Sequence, residues 1–415
     1  MSLYRRILNT LGWPDASVQT VSSDSSTWGW YGPSIPGLPA VTEQTILSVS
    51  AAYACVNLIA GAISTLPVLI YREGHDGQRE EVNGDPLWWL LNEQFLPRWS
   101  AANAWEFLAM SLLFHGDAFC AIRRNRNGAA IGFEPAHPVR TQVLVTKDRQ
   151  RLVYPVTWDD GTTEVFDQDD MIHVAGFGFN GFRGISPLRH VLGTSAGVAL
   201  ATQEYAGRFF TNSARPDIVL TSDQVITKEI ADDIKKRWAD NYSGFANAHR
   251  PAVLGAGFKA EPLTMTAEDA QLLATRQFQI EEIARAYGVP PFMIGHNEKT
   301  TSWGSGVESM AKAFVRFTLR QHLHKFETEL NRKLFRNAGK RIEFDTFDLE
   351  SADMKTLFES FRVAIGRAGE PGFMTTDEVR DKLRLRRTPG GDQLSSGQTD
   401  GLQPTGTTDA TQQAA

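Results

Sequence analysis

Residues 176–181, Gly-Phe-Gly-Phe-Asn-Gly, fit the G-x-G-x-x-G pattern of dinucleotide-binding loops. Such a loop needs its third glycine at the start of a helix, so that the pyrophosphate meets the N–H groups of the first turn. Here Pro187 places the helix start several residues later, after the further glycine Gly184. The pattern therefore favours a connecting loop, and a nucleotide enzyme remains an alternative.

Ser195 lies in Gly-Thr-Ser-Ala-Gly, residues 193–197, which fits the G-x-S-x-G nucleophile elbow of α/β-hydrolases. That chemistry requires a serine on a strained turn between a strand and a helix, beside an oxyanion hole. Ser195 instead falls inside a helical run, where small residues let another helix approach closely. A serine hydrolase that uses Ser195 is therefore a second alternative.

Two histidines have a carboxylate nearby in sequence, as acid–base catalysis would need: His173 with Asp170, and His115 with Asp117. Lone histidines in apolar segments are usually hydrogen-bonded structural residues. We therefore expect no catalytic residue among them.

Metal-ligand spacing is absent from the sequence. His322 and His324 are two residues apart, which directs them to different sides of a helix. Cys55 and Cys120 lie in apolar surroundings and are expected to be buried thiols. The sequence predicts neither a metal nor a cofactor.

A polar run between two predicted helices supplies hydrogen-bonding groups without an anion-binding glycine nest. It consists of His296, Asn297, Glu298, Lys299, Thr300, Thr301 and Ser302. Beyond it, Lys312, Arg316 and Arg320 step by four along one helix face. They could face phosphates or donate ion pairs to a neighbouring chain, although such charges more often form a solvated face.

The two helices that flank this run are defined by their caps. The first opens at Thr266 with Asp269 as a capping box and ends at Gly288, before two prolines. The second opens at Ser305 and keeps helical spacing to Phe335, about 30 residues or roughly 45 Å. Its apolar positions are Val307, Met310, Phe314, Phe317, Leu323, Phe326, Leu330 and Leu334. This apolar stripe needs a partner surface.

Length and composition exclude several classes of protein. A chain of 415 residues, 42% of them hydrophobic, has room for two or three domains with a buried core. The net charge of -6 argues against a sequence-reading nucleic-acid binder, but not against a surface that DNA passes. The most apolar runs, 101–114 and 188–201, are too short to span a bilayer.

The predicted elements indicate an α+β fold. A helix from Ser48 ends before Pro67, a strand covers 68–72, and a helix covers 101–114 before antiparallel strands that continue to Ala175. A further helix begins at Ser186 and runs to about Asn212. A small neutral αβ module follows it. Residues 1–40 are expected to be a flexible arm and 391–415 a disordered tail.

Several short stretches occur together in one order along the chain. They are residues 55–60 (C-V-N-L-I-A), 66–67 (L-P), 113–118 (L-F-H-G-D-A), 170–173 (D-M-I-H), 184–188 (G-I-S-P-L), 209–216 (F-F-T-N-S-A-R-P), 283–291 (I-A-R-A-Y-G-V-P-P), 374–380 (M-T-T-D-E-V-R) and 390–392 (G-G-D). As a set they resemble the portal proteins of tailed bacteriophages, of the HK97 family. Each is weak alone, and their order and coverage carry the resemblance.

The resemblance implies a portal-protein fold assembled as a dodecameric ring at one capsid vertex, through which double-stranded DNA is packaged and ejected. It also implies a division of the chain. The parts are a wing (41–185 with 339–350), stem helices (186–212 and 266–288), a clip (213–265), a tunnel loop (289–304), a long channel helix (305–338) and a crown (351–390). The polar run would face DNA without reading its sequence, and the basic stripe would line the channel or a subunit interface.

The same resemblance implies partners and a place. The partners would be the terminase large subunit and a head–tail connector at the clip, and the major capsid protein and scaffold around the ring. The protein would be part of the virion, in the host cytoplasm during assembly, with no membrane association. It would not be an enzyme, because a separate motor would hydrolyse ATP. A ring-forming scaffold that never contacts DNA is a third alternative.

Overall fold

The structure is a computed structural model, and a defined part of the chain can be described. The described ranges are 38–73, 79–82, 84–146, 150–212, 218–222, 258–262, 267–296, 305–336, 339–350, 354–366, 370–383 and 385–395, with isolated positions between 227 and 236. Most of the predicted arm, of the clip and of the tail lies outside these ranges. The chain divides into two compact units between Phe344 and Asp345.

Helices provide most of the regular structure of the first unit. They are α1 (Glu43–Leu47), α2 (Ser50–Thr65), α3 (Pro86–Asn92), α4 (Ala101–His115), α5 (Pro187–His190), α6 (Leu192–Asn212), α7 (Ala267–Tyr287), α8 (Ser305–Ala313) and α9 (Arg320–Leu334). A π-helical segment, Phe314–Leu319, joins α8 to α9. Short 3-10 helices cover Gln168–Asp170 and Pro291–Ile294.

Strands form small sheets in which every pair is antiparallel. They are β1 (Val68–Glu73), β2 (Arg79–Glu81), β3 (Gln94–Leu96), β4 (Trp99–Ser100), β5 (Asp117–Arg124), β6 (Ala130–Ala136), β7 (Leu144–Val145), β8 (Leu152–Thr157), β9 (Thr163–Asp167), β10 (Met171–Ala175), β11 (Ile218–Ser222), β12 (Phe258–Pro262) and β13 (Lys340–Phe344). The strand orders are β13-β1-β2, β10-β5-β6 and β7-β8-β9, with the pairs β3-β4 and β11-β12. The predicted α+β class is confirmed.

The main core of the first unit is organised around Trp105 of α4. Its ring meets Phe95, Phe326 and Phe344 edge-on, with ring centroids 5.1, 5.6 and 5.2 Å away. The indole N–H donates to the carbonyl of Leu91 at 2.9 Å. One buried side chain therefore joins α4 to β3, to α9 and to β13, which are far apart in sequence.

Both ends of α4 are capped by residues next to the helix. Ser100 accepts the N–H of Asn103 at the start of α4, and Gly116 ends that helix with φ 74°. The helix predicted from Ser48 is confirmed as α2, which begins at Ser50 because Val49 has extended backbone geometry, and which ends before Pro67. The separate helix α1 precedes it and was not predicted. The helix predicted from Ser186 is interrupted between α5 and α6.

The long helix predicted from Ser305 contains an unpredicted π-helical turn. Phe314 and Val315 are both buried, and the buried face then continues at Leu319, Leu323, Phe326 and Leu330. This face is offset from the one that Phe314 and Phe317 would share in a regular α-helix, and Phe317 is 64% exposed. The extra residue of a π turn absorbs that offset. The prediction of an uninterrupted α-helical stripe through Phe317 was wrong.

The second unit contains α10 (Phe347–Glu350), α11 (Met354–Ile365) and α12 (Thr376–Lys382). Thr375 and Glu378 cap α12 reciprocally. Asp377 donates its backbone N–H to the carbonyl of Gly391 at 2.8 Å and accepts the N–H of Thr388 at 2.9 Å. The stretch at 374–380 is thereby joined to the glycine turn at 390–392.

Trp105→Ala is expected to lower the free energy of unfolding by about 3–5 kcal/mol, because it empties the centre of the core. Trp89 offers a matched control, since its side chain is 56% exposed. Trp89→Ala should change the free energy by no more than about 0.5 kcal/mol. Urea unfolding of the three proteins measures both values, and equal losses would contradict the described core.

Candidate functional site

Three stretches that carry the sequence resemblance interlock where the β-sheets lead into α5. The N–H of Gly176 donates to the carbonyl of Gly116 at 2.7 Å, and the Ser186 hydroxyl donates to the carbonyl of Phe114 at 2.8 Å. A Cβ on Gly184 would lie 2.2 Å from the same Gly116 oxygen. The glycines of this loop therefore serve close backbone packing, which gives a physical reason for the G-x-G-x-x-G pattern other than nucleotide binding.

Asp117 is the charged group at the centre of this junction and is fully buried. Its Oδ1 accepts from His173 Nε2 at 3.1 Å and from the N–H of Gly184 at 2.9 Å, and Arg183 Nε lies 4.0 Å from Oδ2. The other ring nitrogen of His173 contacts the Tyr154 hydroxyl at 3.2 Å. Burial raises the pKa of Tyr154 well above its usual range. These groups fasten the loop 176–186 to β5, β8 and β10.

Neither histidine pairs in the structure with the carboxylate that the sequence suggested. His173 pairs with Asp117 and not with Asp170, which instead accepts from Arg124 Nε at 2.7 Å. His115 contacts Glu43 and not Asp117. Asp117 and His173 are almost inaccessible to solvent, with side-chain exposures of 0% and 4%. Such burial suits a structural hydrogen-bonded pair and keeps both side chains from a substrate.

The helix α7 ends in an elbow that leads towards the predicted tunnel loop. Gly288, at φ 68°, donates its N–H to Arg285, and Val289 donates to Ala284, which is a Schellman arrangement. The Pro291–Ile294 turn follows and ends at Gly295 with φ 84°. The predicted helix stop is confirmed.

The predicted polar run lies mostly outside the described residues. His296 is its one described member: its N–H donates to the carbonyl of Pro291 at 3.0 Å, and Nε2 lies 3.9 Å from Glu281 Oε1. Residues Asn297, Glu298, Lys299, Thr300, Thr301 and Ser302 cannot be described, and the same holds for Trp303. The structure therefore places the base of this loop and not its tip.

The elbow is attached to the π-helical segment of the long helix. The Thr318 hydroxyl donates to the carbonyl of Gly288 at 2.6 Å. A Cβ on Gly288 would lie 3.0 Å from that hydroxyl oxygen, and the positive φ of Gly288 favours glycine independently. The two ends of the predicted loop are thus set by elements that contact each other.

The predicted basic stripe is described in full along the long helix. Arg316 and Arg320 are exposed, whereas Lys312 is half-buried. Arg320 Nη2 lies 3.9 Å from Glu343 Oε1, and the other oxygen of that carboxylate accepts from Arg79 at 2.7 Å. Because the π turn separates Lys312 from Arg320, the step of four along a single α-helical face no longer applies.

Ser195 lies within α6 and not on a strand-to-helix turn. Its hydroxyl donates to Glu282 Oε2 of α7 at 3.0 Å. No histidine is recorded as its partner among the residues that the structure describes. The bond instead joins the first turn of α6 to the last turns of α7.

Sequence reasoning missed three of these contacts. Asp117 has no pattern of its own, and its partners His173 and Gly184 become neighbours only through sheet pairing. Thr318 was not recognised because a threonine within a helix signals no particular contact. The sequence feature that came nearest to indicating these contacts was the presence of 113–118 and 184–188 among the stretches that carry the family resemblance. These two stretches are in contact in the structure.

Comparison with known proteins finds a family match that covers most of the chain. The family model described as "Phage portal protein" matches residues 50–383 of this chain. The portal protein of Enterobacteria phage HK97 is 31% identical over 363 residues, which cover 86% of this chain and 83% of that protein. The probable portal protein of Streptomyces phage phiC31 is 32% identical over 385 residues, covering 89% and 83%.

Solved structures share the fold at lower identity. A chain from the virion of a native gene transfer agent particle has a TM-score of 0.64 at 20% identity, over 93% of this chain and all of that one. A chain from the neck of the native particle, computed with C12 symmetry, has a TM-score of 0.59 at 20% identity, over 86% and 97%. In the described part of the present chain, no helix is both long and apolar enough to cross a membrane.

Gly184→Ala is expected to destabilise the chain by about 1–3 kcal/mol, because the added methyl group would overlap the carbonyl of Gly116. Gly61 in α2 is the matched control, since a Cβ there would meet no atom within 4 Å. Gly61→Ala should stabilise the helix by about 0.5–1 kcal/mol. Denaturant unfolding measures both changes, and a loss at Gly61 equal to that at Gly184 would refute the packing described here.

His322 should make stability depend on pH. Burial lowers its pKa to about 4, with the charge of Lys325 adding to the effect. Between about pH 6.5 and 4 the unfolded chain binds the proton and the folded chain does not, so stability is lost as pH falls through this window.

The loss of unfolding free energy between pH 7 and 4.5 should therefore be smaller in His322→Gln than in the wild type. His324→Gln is the control, because it makes the same substitution in the same helix at a side chain that is 76% exposed. Unfolding at several pH values decides the matter, and identical profiles for His322→Gln and the wild type would show that this histidine is protonated normally.

Proposed function

Since the chain belongs to the phage portal protein family, we propose that twelve copies form a ring at one capsid vertex and that double-stranded DNA passes through its centre. The observation that carries the proposal is the family match over residues 50–383, which spans the sheets, the helix pair and the elbow. The twelvefold count is supported by the C12 symmetry of the similar gene transfer agent neck. The assembly would serve both packaging and ejection of DNA.

The proposed parts of the ring follow the contacts of the first unit. Helices α6 and α7, within 186–212 and 266–288, are the stem, which the Ser195–Glu282 bond supports. Residues 213–265 are the clip, which the pairing of β11 with β12 closes at its base. Residues 41–185 and 339–350 are the wing, supported by the pairing of β1 with β13. The second unit supplies the crown, 351–390.

The proposed tunnel loop, 289–304, presents residues 296–302 to DNA. Its base is suited to this role, because the Schellman end of α7 and the Thr318–Gly288 bond hold the loop between two helices. Lys312, Arg316 and Arg320 belong to the channel wall or to a contact between subunits. The long helix, 305–338, is the element that presents them.

A weak electrostatic interaction with DNA suits a channel. Each phosphate that a protein neutralises adds salt-dependent affinity, so a densely basic wall would hold DNA in place. The net charge of this chain is -6. We propose that the loop contacts DNA with hydrogen-bonding groups and few charges, which permits sliding without sequence preference.

The proposed partners follow from the place in the particle. The terminase large subunit and later a head–tail connector would dock on the clip, and the major capsid protein and scaffold would surround the ring. ATP hydrolysis would belong to the terminase motor, so the chain itself would have no enzymatic role. The assembled protein would reside in the virion, after assembly in the host cytoplasm.

Replacing Lys299, Thr300, Thr301 and Ser302 together by alanine is expected to reduce packaged DNA while leaving the ring intact. The reason is that the substitutions remove hydrogen-bonding groups from the loop and none from the described core. Packaged DNA per particle is measured by quantitative PCR after nuclease treatment, in a phage whose own portal gene is replaced by the variant.

Negative-stain images of the purified variant provide the control for assembly. An intact ring with normal packaging would favour a scaffold that does not contact DNA. If the fourfold variant forms no ring, the single variant Lys299→Ala is measured in its place. A normal DNA content in that variant would count equally against the proposed loop.

A further inference from the structure

Glu43, His115 and His137 meet on the first unit although each comes from a different segment. Glu43 begins α1, His115 ends α4, and His137 follows β6. One potential ligand atom from each residue lies within 4.8 Å of the others. The sequence predicted no metal site, because no spacing connects these positions and only the fold brings them together.

The carboxylate of Glu43 faces both rings. Its Oε1 contacts His115 Nε2, and its Oε2 lies 3.4 Å from His137 Nε2. The two rings are 5.4 Å apart between centroids and inclined by 66°. In a tetrahedral site with bonds of about 2.0–2.1 Å, ligand atoms lie about 3.3 Å apart. Small side-chain movements would therefore open this cluster to hold one ion.

We propose that Glu43, His115 and His137 bind a divalent transition-metal ion of the zinc type. Two imidazoles and one carboxylate are ligands that Zn²⁺ accepts in proteins, and three protein ligands leave a fourth position for water. The exposures suit that arrangement: the side chain of His115 is 13% exposed, whereas Glu43 and His137 are 36% and 34% exposed. The buried ring forms the base of the site and the other two form its rim.

The backbone of His137 is held by hydrogen bonds, and its ring accepts one hydrogen bond that a metal ion would break. The His137 carbonyl accepts from the Arg140 N–H and the Thr141 hydroxyl, both at 3.0 Å. The N–H of Val139 donates to His137 Nδ1 at 3.2 Å. A metal at Nε2 moves the ring proton to Nδ1 and so ends this last bond. This hydrogen bond is long and joins residues only two apart, so its loss would weaken metal binding only slightly.

Arg183 is the cation that opposes the site. Its positive charge contributes to lowering the pKa of His115. Its guanidinium donates hydrogen bonds to the carbonyls of Pro138 and Thr141. Glu43 supplies the compensating negative charge directly between the two rings. An ion held there would join α1 to the end of α4 and to the turn after β6, and so would fasten the first described helix to the sheets.

The test uses the untagged full chain, stripped with EDTA and dialysed against ZnCl₂. Wild type should retain about one Zn²⁺ per chain by mass spectrometry of the metal and unfold at a higher temperature than the stripped protein. Co²⁺ should give the visible absorption bands of a four- or five-coordinate nitrogen and oxygen site.

Glu43→Gln and His137→Asn should each weaken Zn²⁺ binding by at least about tenfold. His324→Gln is the matched control, because His324 has an exposed side chain whose Nδ1 lies 3.6 Å from Glu327 Oε2, and the described residues offer that pair no third ligand. It should bind as the wild type does. Binding that survives in both ligand variants would overturn the proposal, as would a wild type that shows neither retained Zn²⁺ nor Co²⁺ bands. The wild-type result decides even where a variant fails to fold.

Discussion

A buried carboxylate is costly unless it is paired, and Asp117 imposes that constraint on the first unit. Removing such a charge from water costs several kcal/mol, which its partners must offset. His173 and the backbone of Gly184 hold one oxygen, and Arg183 lies near the other. These contacts attach the loop 176–186 to β5 and β10, directly before α5 begins.

A series of contacts leads from this junction through α6 and α7 to the π-helical segment. Helices α5 and α6 start directly beyond Ser186, whose hydroxyl caps α5 and also donates to the carbonyl of Phe114. Across the pair, Ser195 and Glu282 join α6 to α7, and α7 ends in the elbow at Gly288. The elbow contacts the π-helical segment through Thr318. A continuous series of contacts thus connects the sheets to the base of the proposed tunnel loop.

Local chemistry made part of this arrangement predictable. Glycine and two prolines end α7 for reasons that involve only neighbouring residues, and Thr375 with Glu378 caps α12 in the same way. The α+β class followed from strand alternation. The π turn could not be predicted in that way, because the offset between Phe314 and Leu319 has meaning only once the packing partner is known. Asp117, His115 and Glu43 were equally hidden, since their partners are distant in sequence.

The most direct measurement is an electron-microscopy reconstruction of the purified full chain together with its native mass. The account predicts a closed ring of about twelve copies with an open centre, and residues 296–302 at the narrowest part of the opening. A reconstruction in which those residues face outward, or an assembly without a central opening, would contradict a DNA channel built from this chain.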